Sequence, residues 1–302
     1  AYEIRNCDWS SDVCSSDLSF FANAGEEYRK VRNTIRFLLS NLYDVNSASM
    51  SGPVKLGDDE QTSLDAWALH ELQQVILTVT KAYEQYEFAT VQKTIFNFCN
   101  DTLSSVYLAA TKDRLYCDRA DSARRRRTQR VMWAITDALI RLLAPILPHT
   151  ADEAWASLHG KKPGEIPSVH LQEFPRYENI INDDANRRVP GELWTALLSM
   201  RSTWLKQIEE FRKASGVDNP LDLGMKLSIE RSVKGLDQFD PRDLADLLNI
   251  SRVELMSSGA HEVIDLRSEP RCERSWKRDG TVKLRSDGGL LSDRDAEALG
   301  LA

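Results

Sequence analysis

Five long stretches of the chain repeat apolar residues every three or four positions, and this pattern constrains the fold more than any other feature. Such spacing places the apolar side chains on one face of an α-helix, and that face must be buried against another element. The predicted helices cover residues 27–43, 63–86, 88–111, 122–147 and 191–216. A capping-box pattern at Thr150–Glu153 predicts one more short helix, which carries Trp155.

After Gly216 the pattern changes to short alternating stretches, which are typical of strands. The stretches "MKLSIER", "RVELM" and "HEVIDLR" are the predicted strands, and Asp240 followed by Pro241 predicts the start of a short helix. The expected fold class is therefore mainly α, with a helical bundle followed by a small α+β C-terminal domain. The predicted parts are a bundle (19–160), a connecting segment (161–190), a long helix completing the bundle (191–215) and the C-terminal domain (216–302).

The first eighteen residues, "AYEIRNCDWSSDVCSSDL", fit neither the helical nor the alternating pattern. Back-translated, they resemble the indexed adapter used in short-read DNA sequencing. We therefore predict that residues 1–18 are a translated adapter and that the natural sequence begins near Ser19. The prediction implies that whatever preceded Ser19 in the gene is missing.

Composition narrows the class of protein further. The formal net charge is −7, so any nucleic-acid contact requires a local basic patch rather than an overall basic chain. The cysteines are few, odd in number and scattered, which predicts a reducing, cytoplasmic environment rather than a disulfide framework. No apolar run approaches the roughly 20 residues that span a bilayer, so no membrane partner is expected.

Several separated segments, in order, resemble the anticodon-binding region of the isoleucyl-tRNA synthetases. The resemblance covers nearly all of residues 19–276. Valyl- and leucyl-tRNA synthetases share the helical plan, but Asn97-Phe98-Cys99 and the run through "KDRLY" favour the isoleucyl branch. The segments are "YRKVRNTIRFLLSNL", "LDAWALHELQQVILTVTKAYEQYEF", "IFNFCNDTLSSVYLAATKDRLY", "LIRLLAPILPHTADEAW", "SVHLQEFP" and "DNPLDLGMKLSI".

The resemblance implies a class I aminoacyl-tRNA ligase that joins isoleucine to its tRNA with ATP and magnesium. Neither the HIGH nor the KMSKS signature of such enzymes occurs in this sequence. We therefore expect the catalytic and editing domains to lie upstream, and this fragment to bind tRNA as a monomer without catalytic residues or a cofactor of its own.

Two basic stretches are the candidates for tRNA binding, because arginine bonds phosphate oxygens bidentately. In "KDRLYCDRADSARRRRTQR" the predicted contacts are Lys112, Arg114, Arg124, Arg127 and Arg130, and the alternative is a solvated charge cluster at a helix start. On the first helix the predicted contacts are Arg32, Asn33 and Arg36, with Asn33 reading a base edge. The alternative for Arg32 and Asn33 is that they are buried polar groups bracing the bundle.

The tryptophans divide into two groups. Trp67, Trp133, Trp155 and Trp194 lie at apolar helical positions and are predicted to pack in the core. Trp276 follows "CERS" in a polar tail, where it is predicted to stack on an unpaired anticodon base. The alternative for Trp276 is a surface aromatic that closes a small domain.

The residues before Trp276 partly resemble a zinc-binding motif. Many bacterial members of the family carry a four-cysteine zinc knuckle whose first pair reads CxxCW, but here Cys272 is followed by Ser275 and no second cysteine pair occurs. Since structural zinc sites use four cysteine or histidine ligands, we predict no metal. Asp279-Gly280 predicts a hairpin turn in the same tail.

Two other functions remain open from the sequence. One is a fragment of a valyl or another class I synthetase, which shares the bundle. The other is a helical interaction module without a role in RNA binding.

Overall fold

The computed structural model describes residues 11–50, 52–57, 60–180 and 191–301. Of the predicted adapter segment, residues 1–10 lie outside the described part, and the backbone of residues 11–18 is helical. The helices are α1 (Ser11–Ser40), α2 (Ser47–Met50), α3 (Leu64–Glu84), α4 (Phe88–Asn97), a π-helix (Phe98–Tyr107), α5 (Leu108–Cys117), α6 (Ala123–Leu143), α7 (Pro148–Leu158), α8 (Gly191–Ser215), α9 (Pro241–Leu248) and α10 (Asp293–Leu299). The strands are β1 (Leu223–Ser228), β2 (Arg252–Met256), β3 (Glu262–Asp265), β4 (Lys283–Leu284) and β5 (Leu290–Leu291).

The predicted fold class, a helical bundle followed by a small α+β part, is confirmed. Two of the long helices begin at serines whose hydroxyls satisfy a backbone N–H of the first turn. Ser63 accepts from Ala66 N at the start of α3, and Ser122 accepts from Arg125 N at the start of α6, both at 3.2 Å. In the described part of the chain no helix combines the length and the apolar content that crossing a bilayer requires.

The third predicted helix contains a wide turn in its middle. From Phe98 to Tyr107 the backbone follows a π-helix, so that the Leu108 N–H reaches the Leu103 carbonyl five residues back. The hydroxyls of Ser104 and Ser105 also bond carbonyls five residues back, each at 2.7 Å. The helical path then continues through α5 to Cys117, six residues beyond the predicted end at residue 111.

The C-terminal part is built around a three-stranded sheet in the order β2–β1–β3. Strand β1 pairs in parallel with β2 and antiparallel with β3. A parallel pair requires a crossover, and α9 supplies it between β1 and β2. The predicted cap of α9 is confirmed, because Asp240 accepts from the Arg242 N–H at 2.8 Å.

Helix α8 joins the bundle to the sheet through a single apolar core. The indole of Trp194 stacks on Trp67 of α3 with ring centroids 5.6 Å apart, and it meets the ring of Phe239 edge to face at 5.1 Å. The predicted burial of Trp67, Trp133, Trp155 and Trp194 is confirmed. The bundle and the sheet therefore share one core rather than forming two independent ones.

The tail after β3 has a small apolar cluster of its own, formed by Cys272, Val282, Leu291 and Ala296. Strands β4 and β5 form a hairpin, and its turn spans Arg285–Gly288 instead of the predicted Asp279-Gly280. The difference has a local cause, because Asp279 accepts from the Thr281 N–H at 2.9 Å and closes a smaller turn before β4 begins. We call residues 270–301 the tail module.

Candidate nucleic-acid interface

Arginines of α5 and α6 face the interior rather than solvent. The Arg114 side chain is completely buried, with Nη2 2.8 Å from Asp243 Oδ1 and 3.2 Å from Asp246 Oδ2. Arg124 Nη2 lies 2.7 Å and 2.8 Å from the same two oxygens. Since Asp243 and Asp246 belong to α9, these contacts fasten the C-terminal part to the bundle. We call these two arginines and two aspartates the ionic clamp.

Arg127 is held in a similar way at the side of the clamp. Its Nε lies 2.8 Å from Asp65 Oδ2 and its Nη1 2.7 Å from Glu60 Oε1. Asp65 is fully buried and also accepts from the Tyr107 hydroxyl at 2.7 Å. Arg127 therefore neutralises a buried carboxylate of α3.

These contacts correct part of the predicted interface. The expectation that Arg114 contacts tRNA does not hold, because its side chain has no exposed surface. Arg124 and Arg127 retain only 13% and 16% side-chain exposure, and carboxylates already bind their guanidinium groups. Arg130, further along α6, is partly buried. We therefore leave these four residues out of the candidate interface.

The clamp is charged at neutral pH. Burial alone raises the pKa of Asp243, but the adjacent Arg114 and Arg124 outweigh burial and hold that pKa well below its ordinary range. For Arg114, burial lowers the pKa, while Asp243, Asp65 and Asp246 together raise it above its ordinary value. Removing any one partner leaves the buried charges of the clamp incompletely compensated.

The predicted residues of α1 lie at the surface. Arg32, Asn33 and Arg36 are exposed, while Val31 and Ile35 on the opposite face pack in the core. Asn33 is therefore not a buried polar group that braces the bundle. Within the described residues neither Arg32 nor Arg36 forms an ion pair, whereas Arg29 pairs with Glu26. One side of α1 therefore offers two cations and an amide to a ligand.

A second exposed site forms where α5 meets the tail module. Lys112 and Tyr116 of α5 and Arg274 and Trp276 of the tail line one cleft of about 290 Å³. The side chains of Tyr116 and Trp276 are more than half exposed, at 57% and 56%. The cleft thus combines two accessible aromatic rings with basic side chains and two aspartates, and we call it the aromatic cleft.

The backbone around Trp276 is tightly bonded even though its ring is exposed. Trp276 has φ +62°, a left-handed conformation that is costly for a bulky residue. Its N–H donates to the Cys272 carbonyl at 3.0 Å, and the Cys272 N–H donates to the Lys277 carbonyl at 2.9 Å. The Arg271 guanidinium lies over the indole, with Cζ 5.6 Å from the ring centroid.

Lys277 connects this loop to the ionic clamp. Its Nζ lies 2.7 Å from Asp246 Oδ1 and 3.1 Å from Asp113 Oδ2. Burial lowers the pKa of Lys277, but Asp246 and Asp113 raise it more, so the ammonium stays charged. The residue next to Trp276 is thus anchored to both α9 and α5.

The aromatic cleft brings together Lys112 and Trp276, which lie in separate candidate stretches of the sequence, and adds Tyr116 and Arg274. Tyr116 was missed because a single aromatic residue in a helix is ordinarily part of the core. The sequence offered one indication, because Tyr116 directly follows Leu115. Leu115 lies on the buried face of α5, so Tyr116 lies on the exposed side.

Comparison with known protein families identifies the class of domain. The family described as "Anticodon-binding domain of tRNA ligase" matches residues 65–227, which is more than half of the chain. This chain belongs to that family. The matched range runs from Asp65, beside the ionic clamp, through all of β1 except its last residue. The match therefore covers the helices from α3 to α8 and most of the first strand of the sheet, but not α1 or α2.

Curated relatives extend the similarity to nearly the whole chain. An isoleucine–tRNA ligase from Caldicellulosiruptor saccharolyticus is 34% identical over 92% of this chain and 30% of its own length. Isoleucine–tRNA ligases from Halalkalibacterium halodurans and Brevibacillus brevis are 34% and 37% identical over 98% and 85% of the chain. The chain spans about a third of the length of these relatives.

Proposed function

We propose that this chain is the anticodon-recognition part of an isoleucine–tRNA ligase and that its task is to hold tRNA. The family match and the names of the relatives support this role. The observation that carries the proposal is the aromatic cleft, where two exposed rings lie among basic side chains on a rigid support. Sequence-specific recognition of RNA depends on unstacked bases, which such surfaces bind.

The cleft suits an unpaired base of the anticodon loop. A base can stack on the indole of Trp276 or the ring of Tyr116, and each such stack contributes about 1–3 kcal/mol. Lys112, which has no ion pair within the described residues, is available to a neighbouring phosphate. Stacking holds the base while the cation neutralises the backbone.

The exposed side of α1 supplies the second contact. Arg32 and Arg36 lie one turn apart, so both can reach consecutive phosphates of a single strand. Asn33 between them carries an amide that can donate to and accept from a base edge. In this arrangement the arginines set affinity and the asparagine contributes to base selection.

The ligation chemistry belongs to the rest of the protein. We expect the complete enzyme to activate isoleucine with ATP and magnesium in its catalytic domain, in the cytoplasm and as a monomer. The present chain positions the tRNA and carries out no chemical step.

Replacing Trp276 by alanine tests the cleft. We expect affinity for isoleucine tRNA to fall by about 5- to 100-fold, because a base loses its stacking partner. Filter binding of the full chain at fixed salt measures the change, and Trp276→Phe is expected to retain most of the affinity. The control is Tyr86→Ala, which removes a ring that is 80% exposed at the end of α3. Equal affinity of Trp276→Ala and the wild type would rule out stacking on this residue.

Replacing Arg36 by alanine tests the helical surface. A phosphate contact releases bound counterions, so the slope of log affinity against log salt is expected to become shallower by about one unit. Arg32→Ala is expected to behave alike, and the double variant to lose about twice as much. The matched control is Lys206→Ala on α8, where the ammonium is 78% exposed. If the slopes of Arg36→Ala, Arg32→Ala and the double variant all equal that of this control, these arginines of α1 do not contact phosphate.

A further inference from the structure

Four polar side chains of the tail module meet at one oxygen atom. Asp295 Oδ2 accepts from Ser275 Oγ at 2.6 Å, from Ser292 Oγ at 2.9 Å and from Cys272 Sγ at 3.0 Å. In the sequence these four residues form two pairs, Cys272-x-x-Ser275 and Ser292-x-x-Asp295. One pair lies in the loop before Trp276 and the other spans the start of α10.

This meeting point is sealed from solvent. The side chains of Cys272, Ser292 and Asp295 have no exposed surface. Burial raises the pKa of Asp295, but Arg294 and the hydrogen bonds from Ser275, Cys272 and Ser292 lower it more, so its carboxylate is ionised. Arg294 Nη2 lies 3.2 Å from Oδ2, and Arg274 Nη1 lies 3.6 Å from Oδ1.

The spacing of the two pairs is that of a zinc knuckle, with two residues between the members of each pair. The donor set does not fit that metal. Zinc binds thiolate and imidazole groups in closed structural sites, whereas these positions hold one thiol, two hydroxyls and one carboxylate. The thiol also donates its proton to Asp295, which a thiolate ligand cannot do.

We propose that the carboxylate of Asp295 occupies the place of a metal ion in the tail module and thereby positions Trp276. A metal ion in such a knuckle is a cation that collects anionic ligands. Here the charge is reversed, since an anion collects three hydrogen-bond donors. Hydrogen bonds to a charged group are roughly twice as strong as neutral ones, so one carboxylate can organise three short segments.

The tail module needs such a centre because its own core is small. The buried apolar residues of the module are Cys272, Val282, Leu291 and Ala296. Modules with so little apolar burial require a metal, a disulfide or another cross-link. The Asp295 centre links the loop at Cys272 to the start of α10, as a metal would.

The link from Asp295 to Trp276 is short. Ser275 directly precedes Trp276, and Cys272 accepts the Trp276 N–H through its carbonyl. Both residues bond Asp295 through their side chains. The left-handed backbone of Trp276 is therefore braced by two residues that one carboxylate holds. Asp295 itself is buried, so it acts on Trp276 only through Cys272 and Ser275 and is a positioning residue.

The test uses Asp295→Asn in the full chain, which preserves volume and removes the charge. Hydrogen exchange of the unliganded chain is expected to speed up by about tenfold or more at residues 272–292, because three buried donors lose a charged acceptor. Exchange in wild type is expected to be unchanged by a strong chelator. The control is Glu273→Gln, which removes an exposed carboxylate from the same loop. Wild-type exchange rates in Asp295→Asn, or acceleration of the wild type by the chelator, would overturn the proposal.

A conversion variant tests the geometry from the opposite direction. Ser275→Cys, Ser292→Cys and Asp295→Cys combined with the native Cys272 create a four-thiol set at the same positions. This variant is expected to bind one Co²⁺ with the absorption of a tetrahedral thiolate complex, and its tail is expected to regain slow exchange only with Co²⁺ or Zn²⁺. If this variant binds no stoichiometric metal ion, the four positions do not have the geometry of a metal site.

The consequence for RNA rests on the proposed function and is measured separately. Loss of a negative charge near RNA favours binding, so Glu273→Gln is expected to bind tRNA as well as or slightly better than wild type. Asp295→Asn is expected to bind about three- to tenfold more weakly, because Trp276 loses its fixed position. Fast tail exchange with unchanged affinities of both Asp295→Asn and Trp276→Ala would refute the RNA role of the cleft and leave the Asp295 centre intact. Weaker binding of Trp276→Ala but not of Asp295→Asn would refute the positioning role.

Discussion

Replacing Arg114 by methionine is expected to destabilise the chain by about 3–5 kcal/mol, because it removes the fully buried cation that three buried carboxylates share. Asp65, Asp243 and Asp246 lie 3.6, 2.8 and 3.2 Å from this guanidinium. Methionine retains much of the side-chain volume, so the loss measures charge rather than a cavity. Because two of these aspartates belong to α9, the C-terminal part is expected to separate from the bundle before the bundle unfolds.

Urea denaturation provides the measurement, with circular dichroism reporting on the helices and hydrogen exchange reporting on α9 and β1. The matched control is Arg176→Met, since that guanidinium is 72% exposed and 4.0 Å from Glu173. An exposed pair at this distance contributes at most about 1 kcal/mol. A loss of that size in Arg114→Met, with bundle and sheet still unfolding together, would show that the clamp does not hold them.

A second variant separates net stabilisation from the cost of an unpaired charge. Arg114→Met combined with Asp243→Asn removes one partner from each side of the clamp. It is expected to recover part of the stability that the single variant loses, because fewer buried carboxylates remain uncompensated.

The helices of the bundle could be predicted from the sequence because their apolar spacing is local information. The serine caps of α3 and α6 and the Asp240 cap of α9 follow from the same short-range chemistry. The π-helix between Phe98 and Tyr107 is less predictable, since a widened turn keeps the residues helical and barely alters the spacing of apolar side chains.

The arginine run could not be assigned correctly from local pattern alone. Four successive arginines resemble a phosphate-binding patch, and their partners lie on α9, more than a hundred residues further along the chain. The sequence of α9 itself indicated that these arginines have internal partners. Asp243 and Asp246 stand one turn apart among leucines of a short helix, so they are carried into the core with its apolar face. Buried carboxylates at that spacing require cations from elsewhere in the chain.

The structure of the tail module also could not be predicted from local pattern alone. Cys272 and Ser275 indicated that the metal pattern was broken, but the second pair at Ser292 and Asp295 contains no cysteine and is invisible to a search for metal ligands. Only the fold brings the two pairs to one point. The aromatic cleft is also a product of the fold, because Lys112 of α5 and Trp276 of the tail module lie far apart in the sequence.

Acidification is expected to weaken the same interface as Arg114→Met, between about pH 5 and pH 2. Two carboxylates have pKa values held far below the ordinary value: Asp243 in the ionic clamp, and Asp113 at the neighbouring contact between α5 and the tail module. For each, burial raises the pKa, but cations outweigh it: Arg114 and Arg124 at Asp243, and Lys277 and Arg294 at Asp113. A carboxylate whose pKa is lower in the folded than in the unfolded chain stabilises the fold at every pH above its unfolded value near 4. That stabilisation is lost as the pH falls toward the folded value.

The loss is expected to reach a few kcal/mol for each of these two carboxylates, which is a large part of the stability of a domain. Protonation also leaves the charged Arg114 and Lys277 in the interior with fewer carboxylates to compensate them, because acid pH keeps both side chains protonated. Urea midpoints at pH 7, 5, 4 and 3 provide the measurement. Asp243→Asn should already be less stable at pH 7 and should show a flatter pH dependence, because one of the titrating groups is absent. An interface that is as stable at pH 3 as at pH 7 would mean that these carboxylates do not hold it, whereas a flattened profile in Asp243→Asn alone would assign the acid sensitivity to the contact between α9 and the bundle.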